Sequence, residues 1–225
     1  MSITVFGAAL SPFVRKVRLF LAEKGLDYQL ENVQPFTPPE WYLELNPLGR
    51  IPALKDGELV LADSSVICHY LEERNPELAP LCGEDAVSRA RVRWLEKYAD
   101  YEVAPLSTFT VFRNRLLKPL MGKECDETAV ASALQEKLPR HFDYLERSLD
   151  GQDYLVGNRF SLADIALVTQ LVNMRHGGEN VDASRWPGLA ALVQRVVARP
   201  TLQEILEGEQ KIIEKMTARA ASARA

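Results

Sequence analysis

The hydrophobic pattern of this chain changes once, near residue 76, and that change limits the folds it can adopt. Before this point, short apolar runs typical of strands alternate with runs of helical periodicity, whereas only helical periodicity follows it. The early order is strand, helix, strand, helix, hairpin, helix, which predicts a parallel and an antiparallel strand pairing. We therefore predict an α/β domain at residues 1–76, a linker at 77–86 and an all-helical domain at 87–225.

The first helix of the α/β domain has a well-marked start. Ser11 is a favoured N-cap residue, and Pro12 is a favoured first helical residue. The apolar side chains that follow recur with helical spacing, and Arg15, Lys16 and Lys24 lie off that apolar face. The other predicted elements are strands at 3–7, 28–33, 51–54 and 59–61, and helices at 40–45 and from Asp63-Ser64.

The second part of the chain is predicted to be helical throughout. Pro105 and Pro139 are expected to kink or interrupt the helices that contain them, because proline lacks a backbone N–H. The small, polar tail at 217–225 is expected to fray. The predicted helices lie at 86–118, 127–149, 162–175, 187–198 and 202–215. The third of these is apolar almost all round, which indicates a central, buried helix.

Charge and cysteine content narrow the functional classes. The formal net charge is −4, and no dense basic cluster occurs, so the bulk charge does not favour nucleic acid. The three cysteines show no CxxC spacing, so we expect neither a zinc site nor a dithiol redox pair. No run approaches ~18 apolar residues, and no signal-peptide pattern is seen. We therefore expect a cytoplasmic protein that binds neither membranes nor metals.

Four segments together resemble the cytosolic glutathione transferase family. They occur in the order and spacing of that family and span nearly the whole chain. The Ser-Pro-Phe start looks most like the serine-type, bacterial-like classes. The segments are SPFVRKVR at 11–18, NPLGRIPAL at 46–54, LADSSVI at 61–67 and GNRFSLAD at 157–164. The resemblance implies a thioredoxin-like glutathione-binding domain followed by an all-helical domain, glutathione as co-substrate, a hydrophobic electrophile as second substrate, and a homodimer.

The resemblance gives Ser11 a role as the donor that stabilises the glutathione thiolate. A free thiol has a pKa near ~8.5, so little thiolate is present at neutral pH. A hydroxyl donor at a helix N-terminus favours the anion. A serine before proline is also a common helix cap, so a purely structural role for Ser11 is the alternative.

The other glutathione-binding residues also follow from the resemblance. A cis bond before Pro52 would turn the backbone of Ile51 toward the cysteinyl part of glutathione. Ser64 and its N–H are expected to take the γ-glutamyl carboxylate at a helix N-terminus, with Asp63 near the ammonium. Arg50 stands where related enzymes carry a basic residue near the glycyl carboxylate.

The remaining candidates are a hydrophobic pocket and a capping motif. Leu10, Tyr101, Phe109 and Phe112 are expected to line the electrophile pocket, although aromatic residues at helical spacing are more often part of a core. Ser161 and Asp164 have the S-x-x-D spacing of a capping box, so Asp164 is expected to be structural.

Three functional alternatives stay open at this point. One is a glutathione-dependent peroxidase or isomerase activity beside transfer, although the Ser-Ser-Cys start that the maleylacetoacetate isomerase branch carries is absent. Another is mixed-disulfide chemistry, and the absence of a cysteine in place of Ser11 argues against it. The third is a non-catalytic interaction factor similar to the stringent starvation proteins.

Overall fold

A four-stranded mixed sheet forms the centre of the N-terminal domain, as predicted. The computed structural model of the chain describes residues 3–35 and 37–222, so the predicted ends at 1–2 and 223–225 lie outside the described residues. The strands are β1 (Ile3–Phe6), β2 (Tyr28–Glu31), β3 (Ala53–Asp56) and β4 (Leu59–Ala62). Their order is β2-β1-β3-β4; β1 pairs with β2 in parallel, and the other two pairings are antiparallel. This is the thioredoxin-like arrangement.

Three helices accompany the sheet: α1 (Pro12–Glu23), α2 (Glu40–Leu45) and α3 (Ser64–Arg74). Helix α1 is buried on nearly every side, which its apolar pattern did not predict. The side chains of Arg15 and Lys16 are fully buried, and Lys24 is nearly so. The reason is that α1 packs on α3 on one side and on the helical domain on another, so its polar face is covered too.

The rest of the described chain is helical from Ala86 onward, with connecting turns. The segments are α4 (Ala86–Tyr98), π1 (Ala99–Val103), α5 (Ala104–Leu106), π2 (Ser107–Leu117), α6 (Lys118–Leu120), α7 (Glu127–Ser132), π3 (Ala133–Lys137), α8 (Leu138–Leu149), α9 (Leu162–His176), α10 (Pro187–Val197) and α11 (Pro200–Ser222). Helix α9 is buried on all sides from Leu162 to Met174, which confirms the predicted central helix.

Pro105 and Pro139 interrupt the regular α-helical pattern, as predicted, although the chain stays helical through both positions. Each proline lies at the start of an α-helical segment that follows a π-helical one. A wider π turn accommodates the missing N–H and the bulk of the ring. The Thr110 hydroxyl also donates to the carbonyl of Pro105 at 2.8 Å.

The predicted frayed tail is wrong for residues 217–222. Helix α11 continues to Ser222, since the alanines and the arginine of this segment are good helix formers. Within residues 3–35 and 37–222, no helix combines the length and the apolar character that crossing a membrane requires.

Asp164 forms the predicted capping box at the start of α9. It accepts hydrogen bonds from the N–H groups of Leu155 at 2.9 Å and Ser161 at 2.8 Å. Burial raises the pKa of Asp164 to about 6, against the lowering effect of these hydrogen bonds. The carboxyl group is enclosed by the helix that it caps, which matches a structural role.

Candidate functional site

Ser11 is the N-cap of α1, at the C-terminal end of the β1–α1 loop. Its backbone is extended, and its hydroxyl oxygen lies 3.4 Å from the Val14 nitrogen, at the outer limit of a capping hydrogen bond. Its side chain is half-buried. Because the hydroxyl only accepts in this contact, its hydrogen remains available to a ligand at the positive end of the helix.

Gly7 brings the loop before Ser11 against the loop that contains Ile51. A Cβ atom at Gly7 would lie 2.4 Å from Cγ2 of Val14 and 3.2 Å from Cβ of Ile51. The φ angle of Gly7 is +154°, which side chains rarely adopt. Only glycine therefore allows the first turn of α1 and the Ile51 backbone to approach this closely.

The Ile51–Pro52 peptide bond is cis, as the resemblance implied. Pro52 is buried and directly precedes β3. The N–H and C=O of Ile51 form no hydrogen bond with residues 3–35 or 37–222. The loop before them is fixed by Tyr42 O–H and Asn46 Nδ2, which donate to the carbonyl of Arg50 at 2.6 and 2.7 Å. The Arg50 residue is exposed.

The N-terminus of α3 presents the other predicted binding residues. Asp63 has a φ of +76°, unusual for a residue other than glycine. One of its carboxylate oxygens accepts from the N–H groups of Ser65 at 2.8 Å and Val66 at 3.3 Å. Ser64 is buried, and among the described residues neither its hydroxyl nor its N–H has a hydrogen-bond partner. Ser64 lies between the capping residue Asp63 and the capped N–H of Ser65, and its own N–H and hydroxyl are therefore left free to bind an anion.

The four predicted pocket residues differ in their placement. The ring of Phe109 stacks on Phe13, just inside α1, with centroids 6.2 Å apart. The Leu10 carbonyl accepts from Asn173 Nδ2 at 3.4 Å, and the residue is nearly buried. Tyr101 is well exposed, with the ammonium of Lys97 over its ring, whereas Phe112 is buried. Among the predicted pocket residues, Phe109 is thus the aromatic residue whose ring stacks on the start of α1.

A cluster of buried charges behind α3 includes residues that the sequence reasoning did not single out. The Glu96 carboxylate accepts from Lys16 Nζ at 3.1 Å and from the Ser65 hydroxyl at 2.6 Å. Lys16 Nζ also donates to Asp100 at 2.5 Å. Lys16 and Ser65 lie inside the segments at 11–18 and 61–67 that resemble the transferase family. Nothing in the α4 sequence, by contrast, indicates that Glu96 is buried.

This cluster keeps its charges inside the protein. Burial alone would raise the pKa of Glu96, but the nearby His69 ring, the charge of Lys16 and the hydrogen bond from Ser65 hold it at about 2. Burial alone would lower the pKa of Lys16, but the carboxylates of Asp100 and Glu96 raise it. Lys16 and Glu96 are therefore both charged at neutral pH, whereas burial raises the pKa of Asp100.

The buried thiol of Cys68 lies within electrostatic reach of the Lys16–Glu96 cluster. Burial raises the pKa of the Cys68 thiol well above its ordinary value, which keeps it protonated. The part of the chain that the structure describes has no group of three or more His, Cys, Asp or Glu side chains able to hold a metal.

Comparison with known proteins gives the family. Two family models match, described as "Glutathione S-transferase, N-terminal domain" over residues 10–74 and "Glutathione S-transferase, C-terminal domain" over residues 112–209. Among solved structures, a glutathione S-transferase from Rhodospirillum rubrum is 30% identical with a TM-score of 0.82, and the match covers 91% of each chain.

Two curated relatives carry other names. A maleylacetoacetate isomerase from Pseudomonas aeruginosa is 33% identical over 84% of this chain and 88% of the relative. A stringent starvation protein A homolog from Haemophilus influenzae is 30% identical over 92% of each. The matched family models and the full-length likeness in fold agree, and the chain belongs to the glutathione S-transferase family.

Proposed function

We propose that this protein is a serine-type glutathione transferase, which holds glutathione as a thiolate and directs it at a hydrophobic electrophile. The observation that carries the proposal is the close approach at Gly7. It puts the first turn of α1, with Ser11 as its cap, against the unbonded backbone of Ile51. A cysteinyl group paired with that backbone is thereby held near a hydroxyl donor at a helix N-terminus.

Ser11 acts in this proposal as a hydrogen-bond donor and not as a base or nucleophile. Lowering the pKa of a thiol by about two units requires roughly 2.7 kcal/mol of preferential thiolate stabilisation. A charge-assisted hydrogen bond and the positive end of α1 together supply energy of that order. The thiolate sulfur then bonds to the electrophilic carbon; with an aryl halide the carbon–halogen bond breaks and halide leaves, and the proton released from the thiol passes to solvent.

The rest of glutathione binds along the adjacent loops. The Ile51 N–H and C=O pair with the cysteinyl backbone, as an added strand would. Ser64 uses its free N–H and hydroxyl for the γ-glutamyl carboxylate, and Asp63 lies beside the ammonium. Arg50, exposed at the end of the NPLGR turn, faces the glycyl carboxylate. Opposite charges thus meet at both ends of the tripeptide.

The electrophile lies beside Phe13 and Phe109, whose stacked rings form an apolar wall near the start of α1. We also propose Leu10, Tyr101 and Phe112 as pocket residues, as predicted from the sequence. Glutathione-dependent isomerase or peroxidase chemistry requires the same thiolate, and the relative from Pseudomonas aeruginosa makes isomerase substrates the first to test beside aryl halides.

A homodimer in the cytoplasm completes the proposal. The outer faces of α3 and α4 expose large apolar side chains, among them Val66, Val87 and Trp94. Arg89, Arg91 and Arg93 are exposed on the same helix α4. A second copy would cover this apolar surface.

The test is turnover of glutathione with a generic aryl halide by the wild-type protein and by Ser11→Ala. We expect measurable transfer that falls by ten-fold or more in the variant, with glutathione binding retained. A matched control is Ser132→Ala, on the exposed surface of the helical domain. Equal turnover by both variants and the wild type would remove Ser11 from the mechanism, and no glutathione binding by the wild type would remove transferase activity altogether.

The second candidate is a non-catalytic interaction factor. It is favoured by the stringent starvation protein A homolog, which matches over 92% of this chain. The exposed face of α3 and α4 would then bind another protein. A monomer in solution that does not bind glutathione would support this function over the transferase.

A further inference from the structure

The N-terminus of α3 is attached to the helical domain through buried polar contacts that the capping of α3 does not require. The Ser65 hydroxyl donates to Glu96 Oε1 at 2.6 Å and accepts from Lys97 Nζ at 2.5 Å. The Ser65 N–H donates to Asp63 at 2.8 Å. One serine therefore joins the Asp63 cap, next to the free groups of Ser64, to two charged side chains of α4.

Glu96 also holds α1. Its Oε1 atom accepts from Lys16 Nζ at 3.1 Å, and neither side chain has any exposed surface. Lys16 belongs to the helix that Ser11 caps. His69 of α3 lies on the other side, with Nε2 3.6 Å from Glu96 Oε2. Glu96 is thus a shared anchor for the two helices whose N-termini form the glutathione site.

A buried ion pair is costly to desolvate and is weak evidence for stability. Apolar side chains would fill this space at least as favourably, whereas fixed polar contacts define the relative position of the elements that they join. We propose that Glu96 is a positioning residue for glutathione binding, which acts through Ser65 on the N-terminus of α3 and through Lys16 on α1. This inference rests on the proposed function.

The experiment measures glutathione affinity by calorimetry, together with steady-state kinetics, for the full-length protein and its variants. Glu96→Gln keeps the shape of the side chain and removes its charge, and Ser65→Ala removes one hydroxyl. We expect each to weaken glutathione binding by about tenfold, because each breaks a charge-assisted hydrogen bond. The KM for glutathione should rise by more than kcat falls, since the contacts act on binding geometry and not on the sulfur.

A double-mutant cycle tests whether Glu96 acts through Ser65. If it does, Glu96→Gln combined with Ser65→Ala weakens binding little more than the stronger single change. The matched control is Glu72→Gln, which alters a carboxylate on α3 that pairs with Lys24 of α1 but has no contact with Ser65. Its glutathione affinity should stay within about twofold of the wild type. Ser65→Ala carries the test if Glu96→Gln does not fold.

Each outcome has one meaning. Wild-type binding that is unchanged in both Glu96→Gln and Ser65→Ala overturns the positioning role and leaves the transferase function intact. Equal losses in Glu72→Gln and Glu96→Gln, matched by equal losses of unfolding midpoint, reduce Glu96 to a structural residue. No binding by the wild type overturns the proposed function and this inference together.

Discussion

Arg15 and Glu209 form a fully buried, two-bonded ion pair that joins α1 to α11. Arg15 Nε donates to Oε1 of Glu209 at 2.8 Å, and Nη2 donates to Oε2 at 2.6 Å. The remaining guanidinium nitrogen donates to the Thr169 carbonyl and to Asn173, each at 2.8 Å. Four of the five N–H groups on this guanidinium thus meet acceptors from the helical domain, and the pair adds to the buried polar contacts between the two domains.

Removing one partner of this pair should destabilise the protein more than replacing both. Glu209→Ala leaves the Arg15 charge buried and is expected to lower the free energy of unfolding by about 3–5 kcal/mol. The combined change Arg15→Met and Glu209→Leu should recover most of that loss. Urea unfolding of the three proteins measures it, and a double variant less stable than Glu209→Ala would contradict the account.

The contribution of Glu96 to stability should depend on pH in a defined direction. Its pKa is about 2 in the folded protein and 4.5 for an ordinary glutamate. Between these values the unfolded chain binds more protons, so the contribution is complete above pH 4.5 and is lost as the pH falls toward 2. The loss is on the order of 3 kcal/mol.

The measurement compares the wild type with Glu96→Gln. The difference between their free energies of unfolding should be constant above about pH 5 and should decrease as the pH falls toward about 2. Glu72→Gln, run in parallel, controls for general acid unfolding. A difference that does not vary with pH would show that the Glu96 carboxylate is not held in the charged form.

Asp164 should matter more for stability than an exposed cap does. Asp164→Ala leaves the buried N–H groups of Leu155 and Ser161 without acceptors and is expected to cost about 2–4 kcal/mol. Asp126 accepts from Ala129 N–H at 2.9 Å at the start of α7, in an exposed position. Asp126→Ala should cost only about 1 kcal/mol. Thermal unfolding of both variants and the wild type measures the two losses. Equal costs would contradict the importance of burial.

Gly7→Ala should separate the first turn of α1 from the Ile51 loop. The added Cβ would lie 2.4 Å from Cγ2 of Val14, so one of the two segments must move. We expect a loss of about 1–3 kcal/mol in stability, with weaker glutathione binding. Val14→Ala in the same chain should restore part of the binding. Unchanged affinity in Gly7→Ala would mean that the close approach does not shape the site.

Much of the N-terminal domain could be predicted because its signals are local. Neighbouring residues alone define the helix start at Ser11-Pro12, the hairpin turn at Asp56-Gly57 and the alternation of strands and helices. The buried charges could not be predicted in this way. Arg15 and Lys16 find their partners on α11 and α4, far along the chain, and only packing of the domains reveals that the polar face of α1 is covered.

The helical domain shows the same limit at its prolines. Sequence predicts that Pro105 and Pro139 disturb a helix, since the missing N–H is a local property. Whether the helix breaks or widens depends on what surrounds it, and the α4–α6 segment is held against α9. The continuous helical path with π segments is therefore a result of tertiary packing. The free groups of Ile51 and Ser64 likewise depend on the folded structure and have no local sequence signal.

The most direct test of the central claim is the pKa of the glutathione thiol when it is bound. It is measured from the ultraviolet absorbance of the thiolate as a function of pH, for the wild-type protein and for Ser11→Ala. The account predicts a bound pKa about two units below that of the free thiol, which returns most of the way toward the free value in the variant. A bound pKa equal to the free value in the wild type would contradict it.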